Sequence, residues 1–192
     1  MAILASAREA FARSGYDGVG VREIAERAGV TAMLVNRYFG SKERLFAEVV
    51  ADIMTTPIIL TPETLVSAHA GDDMADALVR ITTADGAPLD GFQIMWRSAS
   101  SPAAAAIARR EIDAHYHKTL TAALPGPHAS ERAALLLAVV AGVQIMRQMI
   151  GLEALASCPP EVLTELLRPV FREFWRTDDH QPPGTRGNRR KR

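Results

Sequence analysis

The stretch Gly29-Val30-Thr31-Ala32-Met33-Leu34-Val35-Asn36-Arg37-Tyr38-Phe39-Gly40-Ser41-Lys42 constrains this chain more than any other. Thr31 is a good helix N-cap, because its hydroxyl can accept from a free backbone N–H of the first turn. Beyond it, Leu34, Val35 and Phe39 fall on one side of a helix and Asn36, Arg37 and Tyr38 on the other, which predicts two turns with a polar face. Residues 21–28 carry their own inward stripe, Val21, Ile24, Ala25 and Ala28. Gly29 follows where the chain needs a positive φ or a sharp turn. Two short helices joined through a glycine predict a helix-turn-helix.

The flanking residues supply what that pair must pack on. Residues 1–13 place Ile3, Leu4, Ala7, Ala10 and Phe11 at helical spacing, with Gly15 as the stop signal. The helix from Val21 starts on Gly20, a weaker cap than serine or threonine, and Glu23 lies in its first turn, where a negative charge is favoured. After Gly40, Ser41 caps a longer helix with Leu45, Phe46, Val49, Val50 and Ile53 on its buried side. That stripe outruns a small N-terminal domain, so the helix should link it to the rest.

No useful length of the remaining chain alternates with period two, so the expected fold class is all-α. Pro57, Pro62 and Gly71 leave room for one short helix, capped by Thr61. Residues 72–84 are amphipathic through Met74, Ala77, Leu78 and Ile81, and Gly86-Ala87-Pro88 ends them. Residues 89–99 carry Phe92, Met95, Trp96 and Ala99 on one face. Ser101-Pro102 opens a long helix with Ile112, Tyr116 and Leu120, closed by Pro125-Gly126-Pro127. Residues 129–150 are apolar almost all round between Leu135 and Val143, and must be covered on more than one side. Residues 161–176 show a wide apolar stripe, with Pro169 expected to kink or loosen one turn. Two such helices bury their excess surface most easily against the same pair from a second chain, so a four-helix homodimer interface is expected. Its candidate residues are Leu135, Val139 and Val143 on one helix and Leu163, Leu166, Val170 and Phe174 on the other.

The chain has 192 residues, 48 % of them hydrophobic, and a formal net charge of zero. Neutrality alone argues neither for nor against DNA; Arg22, Arg27, Arg37, Lys42 and Arg44 are interleaved with Glu23, Glu26 and Glu43, which suggests a few placed phosphate contacts rather than a broad basic surface. Cys158 is the only cysteine, so no intramolecular disulfide can form. The longest apolar run, residues 133–143, is well short of the roughly 20 residues that span a bilayer, and no N-terminal signal pattern is visible. A cytoplasmic protein with no membrane partner is expected. The end of the chain, with Arg186, Arg189, Arg190, Lys191 and Arg192, has no core-forming residues, and residues 178–192 are expected to be a disordered basic tail.

Residues 3–50 resemble the N-terminal DNA-binding domain of the TetR family of transcriptional regulators. The matching words are Ala10-Phe11 with Gly15-Tyr16, then Val21-Arg22-Glu23-Ile24-Ala25-Glu26-Arg27-Ala28-Gly29-Val30-Thr31, then Tyr38-Phe39-Gly40-Ser41-Lys42-Glu43 and Leu45. The remaining three quarters is similar to the family's helical domain in length and helix pattern. The resemblance implies a helix-turn-helix domain at 1–50 and a helical effector-binding and dimerisation domain at 51–177. It also implies double-stranded operator DNA as partner, a homodimer, and release by a small molecule, with neither cofactor, metal nor catalytic residue. By resemblance, Thr31, Ala32, Met33, Asn36 and Arg37 lie on or near the groove-facing side, Tyr38 and Lys42 match phosphate-holding positions, and Arg22 adds a basic contact. Arg37 can donate in pairs to guanine and Asn36 can pair with adenine, and either can equally settle on a phosphate. The family usually has tyrosine where Asn36 stands and often a small residue at Met33, so the operator sequence does not carry over.

Large adaptable side chains suggest a pocket for an apolar or aromatic effector: Met74, Leu78, Phe92 and Met95, with Trp96, Tyr116, Met146 and Met149. Glu111, His115 and His117 are candidate metal ligands or acid–base groups: Glu111 and His115 are four residues apart on one helical face, His117 points elsewhere on the same helix, and no second ligand pair at a suitable spacing stands out. The alternative reading is a helical small-molecule-binding or interaction module without sequence-specific DNA binding.

Overall fold

The computed structural model describes residues 2–54, 59–83 and 90–176, and every element in them is helical. The expected tail at 178–192, Pro57 and the Gly86-Ala87-Pro88 terminator lie outside the described residues. Helix α1 (Ala2–Ser14) ends at Gly15, whose φ of +68° is open to glycine at little cost. It is followed by α2 (Val21–Arg27), α3 (Ala32–Phe39) and α4 (Lys42–Met54). Phe11, Tyr16 and Phe46 meet edge-on or stacked in the centre of this group, with Phe11 and Phe46 centroids 5.0 Å apart. This core does not stop at residue 50: Met54, Ile94, Ala104 and Ile107 belong to it.

A short helix α5 (Pro62–Val66) is capped by Thr61, as its Thr-Pro start predicts. Then come α6 (Ala70–Ile81), α7 (Asp90–Ser98) and α8 (Pro102–Ile112). The long helix expected over 101–124 is not uniform. Residues Asp113–His117 form a π-helical turn before α9 (Lys118–Ala123). The same happens after α10 (Ala129–Gln144), whose last residues Ile145–Met149 are π-helical. The helix through both parts, Ala129–Met149, is 21 residues long, enough by length and composition to cross a membrane, with only 17 % of its apolar window buried. Counting uninterrupted apolar residues missed this, because polar residues at both ends, Ser130, Glu131 and Arg132 at the start and Gln144, Arg147 and Gln148 at the finish, cut the run short. A single turn, α11 (Glu153–Ala156), precedes α12 (Pro160–Glu173), which runs through Pro169 and leaves the carbonyl of Glu165 without its usual N–H.

The second core lies between α6 and α12. Met74 and Leu78 face Leu163, Leu167 and Phe171, and Leu120 and Leu136 close the other sides. The backbones approach closely at Gly71, where a Cβ would stand 2.9 Å from the backbone nitrogen of Arg172. Two ion pairs flank this contact, Arg172 on Asp72 and Arg168 on Asp76. The hydrogen bonds from Arg172 hold the Asp72 carboxyl below the ordinary carboxylate range. A depressed folded-state pKa contributes stability above the unfolded value near pH 4 and loses it as pH falls through the folded value. Asp72→Asn is therefore expected to flatten the acid limb of a Tm-against-pH profile while leaving the neutral-to-alkaline limb parallel to the parent's.

Candidate nucleic-acid interface

The geometry begins with the turn between α2 and α3. Gly29 has φ +70°, and Val30 N donates to Ala25 O at 2.9 Å, closing α2. Thr31 is extended, and its Oγ1 accepts from Leu34 N at 3.3 Å, so the threonine caps α3. Val35 is buried and fixes the inner face. On the outer face Met33 is 81 % and Tyr38 71 % exposed, a large apolar and aromatic surface left uncovered by the described residues. Asn36 and Arg37 are exposed beside them, Thr31 is exposed at the helix start and Ala32 is half-buried.

The basic residues separate into two groups. Arg13 and Arg27 both reach the Glu23 carboxylate, at 3.1 and 3.4 Å. Arg22 and Arg37 have no ion-pair partner among the described residues and keep their charge for an outside anion. The Lys42 Nζ lies 4.3 Å over the Tyr16 ring, a cation–π contact that positions the ammonium at the first residue of α4. Ser41 Oγ caps that helix by accepting from Arg44 N at 3.2 Å. Burial and then the neighbouring Glu43 carboxylate push the Tyr16 phenol up to about 12, so Tyr16 stays protonated beneath Lys42.

Helix α7 joins this group to the rest. Tyr16 N donates to Ser98 Oγ at 2.9 Å, Ser101 Oγ donates to Asp17 at 3.2 Å, and Arg8 pairs with Asp90 at 3.3 Å. The sequence places Phe92, Met95, Trp96 and Ala99 on one face, which is not the face on which α7 packs. The structure instead buries Gly91, Ile94 and Ser98 there, leaves Phe92 and Met95 half-buried and exposes Trp96 and Ala99.

The eight residues expected around an effector are divided. Met74 and Leu78 are fully buried in the second core, Met95 packs on the first, and Tyr116 touches both. Trp96 and Met146 are exposed, while Phe92 and Met149 are half-buried. Of the interface candidates, Leu135, Leu166 and Val170 are exposed, and Val139, Val143 and Phe174 are half-buried against the second core. Leu163 does not belong with them: at 3 % exposure it is core. Helix α12 carries two stripes, Leu163, Leu167 and Phe171 inward and Val162, Leu166 and Val170 outward, and the sequence pattern merges them into one.

His115 Nε2 lies 3.6 Å from Glu111 Oε2, and no group of three His, Cys, Asp or Glu side chains fit for a metal is found among the described residues. Sequence reasoning passed over Gln144, Arg147 and Gln148, three polar residues at the end of the most apolar helix. Burial gives them away: Gln144 and Arg147 are both less than one tenth exposed.

A family model for bacterial regulatory proteins of the tetR family matches residues 3–49, and one for the tetracyclin repressor-like C-terminal domain matches residues 62–174. No curated protein matches the chain. Among solved structures, a transcriptional regulator from Rhodococcus sp. Rha1 is 27 % identical with a TM-score of 0.62, over 90 % of this chain and 94 % of that one. A TetR-family regulator from Streptomyces coelicolor A3 is 24 % identical with a TM-score of 0.57, over 91 % and 92 %. FadR from Bacillus subtilis, in complex with stearoyl-CoA, shares the fold at 16 % identity and a TM-score of 0.60, over 87 % and 96 %.

Proposed function

Because the chain belongs to the TetR family of DNA-binding transcriptional regulators, we propose that it is a homodimeric repressor that holds a two-fold symmetric operator and releases it when a small molecule binds. The outer face of α3 carries this reading, with Met33, Asn36, Arg37 and Tyr38 all exposed beside unpaired Arg22. Base edges are read by Asn36 and Arg37, and Thr31, Tyr38, Lys42 and Arg22 set register on the phosphates. The organisation that goes with it is a reading domain over 1–50, a ligand and dimer domain over 51–177 and a basic tail over 178–192. The place of work is the cytoplasm, and no catalytic step is assigned to Glu111 and His115.

The uncovered stripes of α10 and α12 support the dimer. The ties of Ser98 on α7 to Tyr16 and of Ser101 at the start of α8 to Asp17 give ligand and DNA a common lever: a guest that moves α7 and α8 drags Tyr16 and Asp17 and changes the spacing of the two reading helices. Such a guest acts only if it prefers the displaced state. The stearoyl-CoA held by FadR supports an apolar guest between α6, α7 and α8.

Selection of bound sequences from a random DNA pool, at two salt concentrations, tests this reading. The expected product is a palindrome whose half-sites are centred about 34–36 Å apart. Arg37→Ala is expected to lose roughly 1–3 kcal/mol and to relax preference at one base position per half-site. Equal weakening on scrambled DNA reassigns Arg37 to a phosphate, and a pool without enrichment removes the operator reading.

A further inference from the structure

Arg147 lies on the π-helical turn Ile145–Met149 and is 7 % exposed, yet no carboxylate pairs with it among the described residues. Its Nη1 donates to Thr82 Oγ1 at 2.8 Å and towards Val79 O at 3.4 Å, at the carbonyl end of α6. These contacts fix the plane of the guanidinium, and the negative end of α6 offsets part of its charge. They occupy one corner only. The Nε and Nη2 edge has no acceptor among the described residues.

That edge is the one this chain uses elsewhere to grip carboxylates. Arg168 places Nε and Nη2 on the two Asp76 oxygens at 3.1 and 3.0 Å. Arg172 does the same to Asp72 at 2.5 and 2.7 Å. The planar fork matches a carboxylate with two parallel bonds, and a buried guanidinium is costly until an anion fills it. Gln144, one turn earlier, is also buried. Gln148 gives its Nε2 to Ile81 O at 3.4 Å and keeps a buried Oε1 without a partner. The carbonyls that Arg147 and Gln148 reach belong to Val79 and Ile81, whose side chains are buried in the second core, and Met149 is half-buried on the same turn.

We propose that the open Nε and Nη2 edge of Arg147 anchors the carboxylate of an effector with an apolar body, with Gln144 and Gln148 completing the polar end of its site. This inference rests on the reading that a small molecule releases the DNA, and narrows that molecule to an apolar monocarboxylate. Arg147 is pre-oriented by Thr82, so the fork costs the ligand little to order.

The full-length protein on its selected operator is titrated with octanoate, decanoate and 2-naphthoate, and with the three corresponding primary amides, at constant ionic strength. Thermal shift and DNA release are both read. The acids are expected to act at concentrations about tenfold or more below the amides, the scale of a charge-assisted hydrogen bond. Arg147→Met is expected to erase that preference while keeping or raising the Tm of the free protein, since it removes a buried charge that has no counter-ion among the described residues. Arg147→Lys, which keeps the charge and loses the fork, should retain part of it. Equal action of acids and amides removes the carboxylate anchor and leaves ligand release standing. No response to either series, with operator binding intact, removes ligand release as well. An Arg147→Met chain that fails to dimerise assigns the open edge to a carboxylate of the second copy, and overturns the inference.

Discussion

Gly15→Ala is expected to lower stability by about 2–5 kcal/mol, far more than a single added methyl normally costs. Two terms add. The backbone at Gly15 has φ +68°, and an L side chain there costs roughly 1–2 kcal/mol. The added Cβ would also stand 2.5 Å from the carbonyl oxygen of Arg97, a backbone atom that can yield only if α7 moves away from α1. That crowding is of the overpacking kind, about 1–3 kcal/mol. Gly29→Ala is the control. It has the same left-handed φ of +70° but nothing within 4 Å of the new Cβ, so it should show the backbone term alone. Urea denaturation of both variants measures the difference. Equal losses would mean that α7 is not held against α1 at Arg97.

Gly15 also shows how much the sequence reveals. That a helix ends there is legible from residues 1–15 alone, because glycine follows the last apolar residue of a helical pattern. That Arg97 lies against it is not, since the partner is some eighty residues away and contributes only backbone. The helix-turn-helix was legible throughout for the same local reason. Thr31, Gly29, Gly40 and Ser41 act on neighbours within four residues, and their caps and turns appear where the sequence puts them.

What escaped was whatever depends on small or polar residues facing inward. Helix α7 docks through Gly91, whose missing Cβ makes room for Ile53 Cγ2, and through Ser98, whose Oγ takes the Tyr16 N–H. Neither registers as apolar, so the periodicity chose Phe92 and Trp96. The two π-helical turns escaped for a related reason. Each shifts the face of the residues after it by one position, and no residue preference in Asp113–His117 or Ile145–Met149 announces the extra residue. Arg147 is carried by the second of them into contact with Thr82.

Leu166→Glu is expected to leave the fold of the subunit intact and to separate the proposed dimer. The side chain is 63 % exposed in the isolated chain, so a carboxylate there remains hydrated and costs the monomer little. In a dimer built on the outer stripes of α10 and α12 the same carboxylate would be buried without a cation, and one such charge from each copy would face the interface. Operator affinity should fall with it, because the second half-site is engaged at an effective concentration set by the first, an advantage of roughly 10²–10⁴. Leu163→Glu gives the contrast: only three residues away but 3 % exposed, it should unfold the subunit instead. Light scattering after size exclusion, circular dichroism and operator anisotropy separate the two outcomes. A Leu166→Glu protein that still elutes as a dimer and still binds at the parent's affinity would move the interface off the face formed by Val162, Leu166 and Val170.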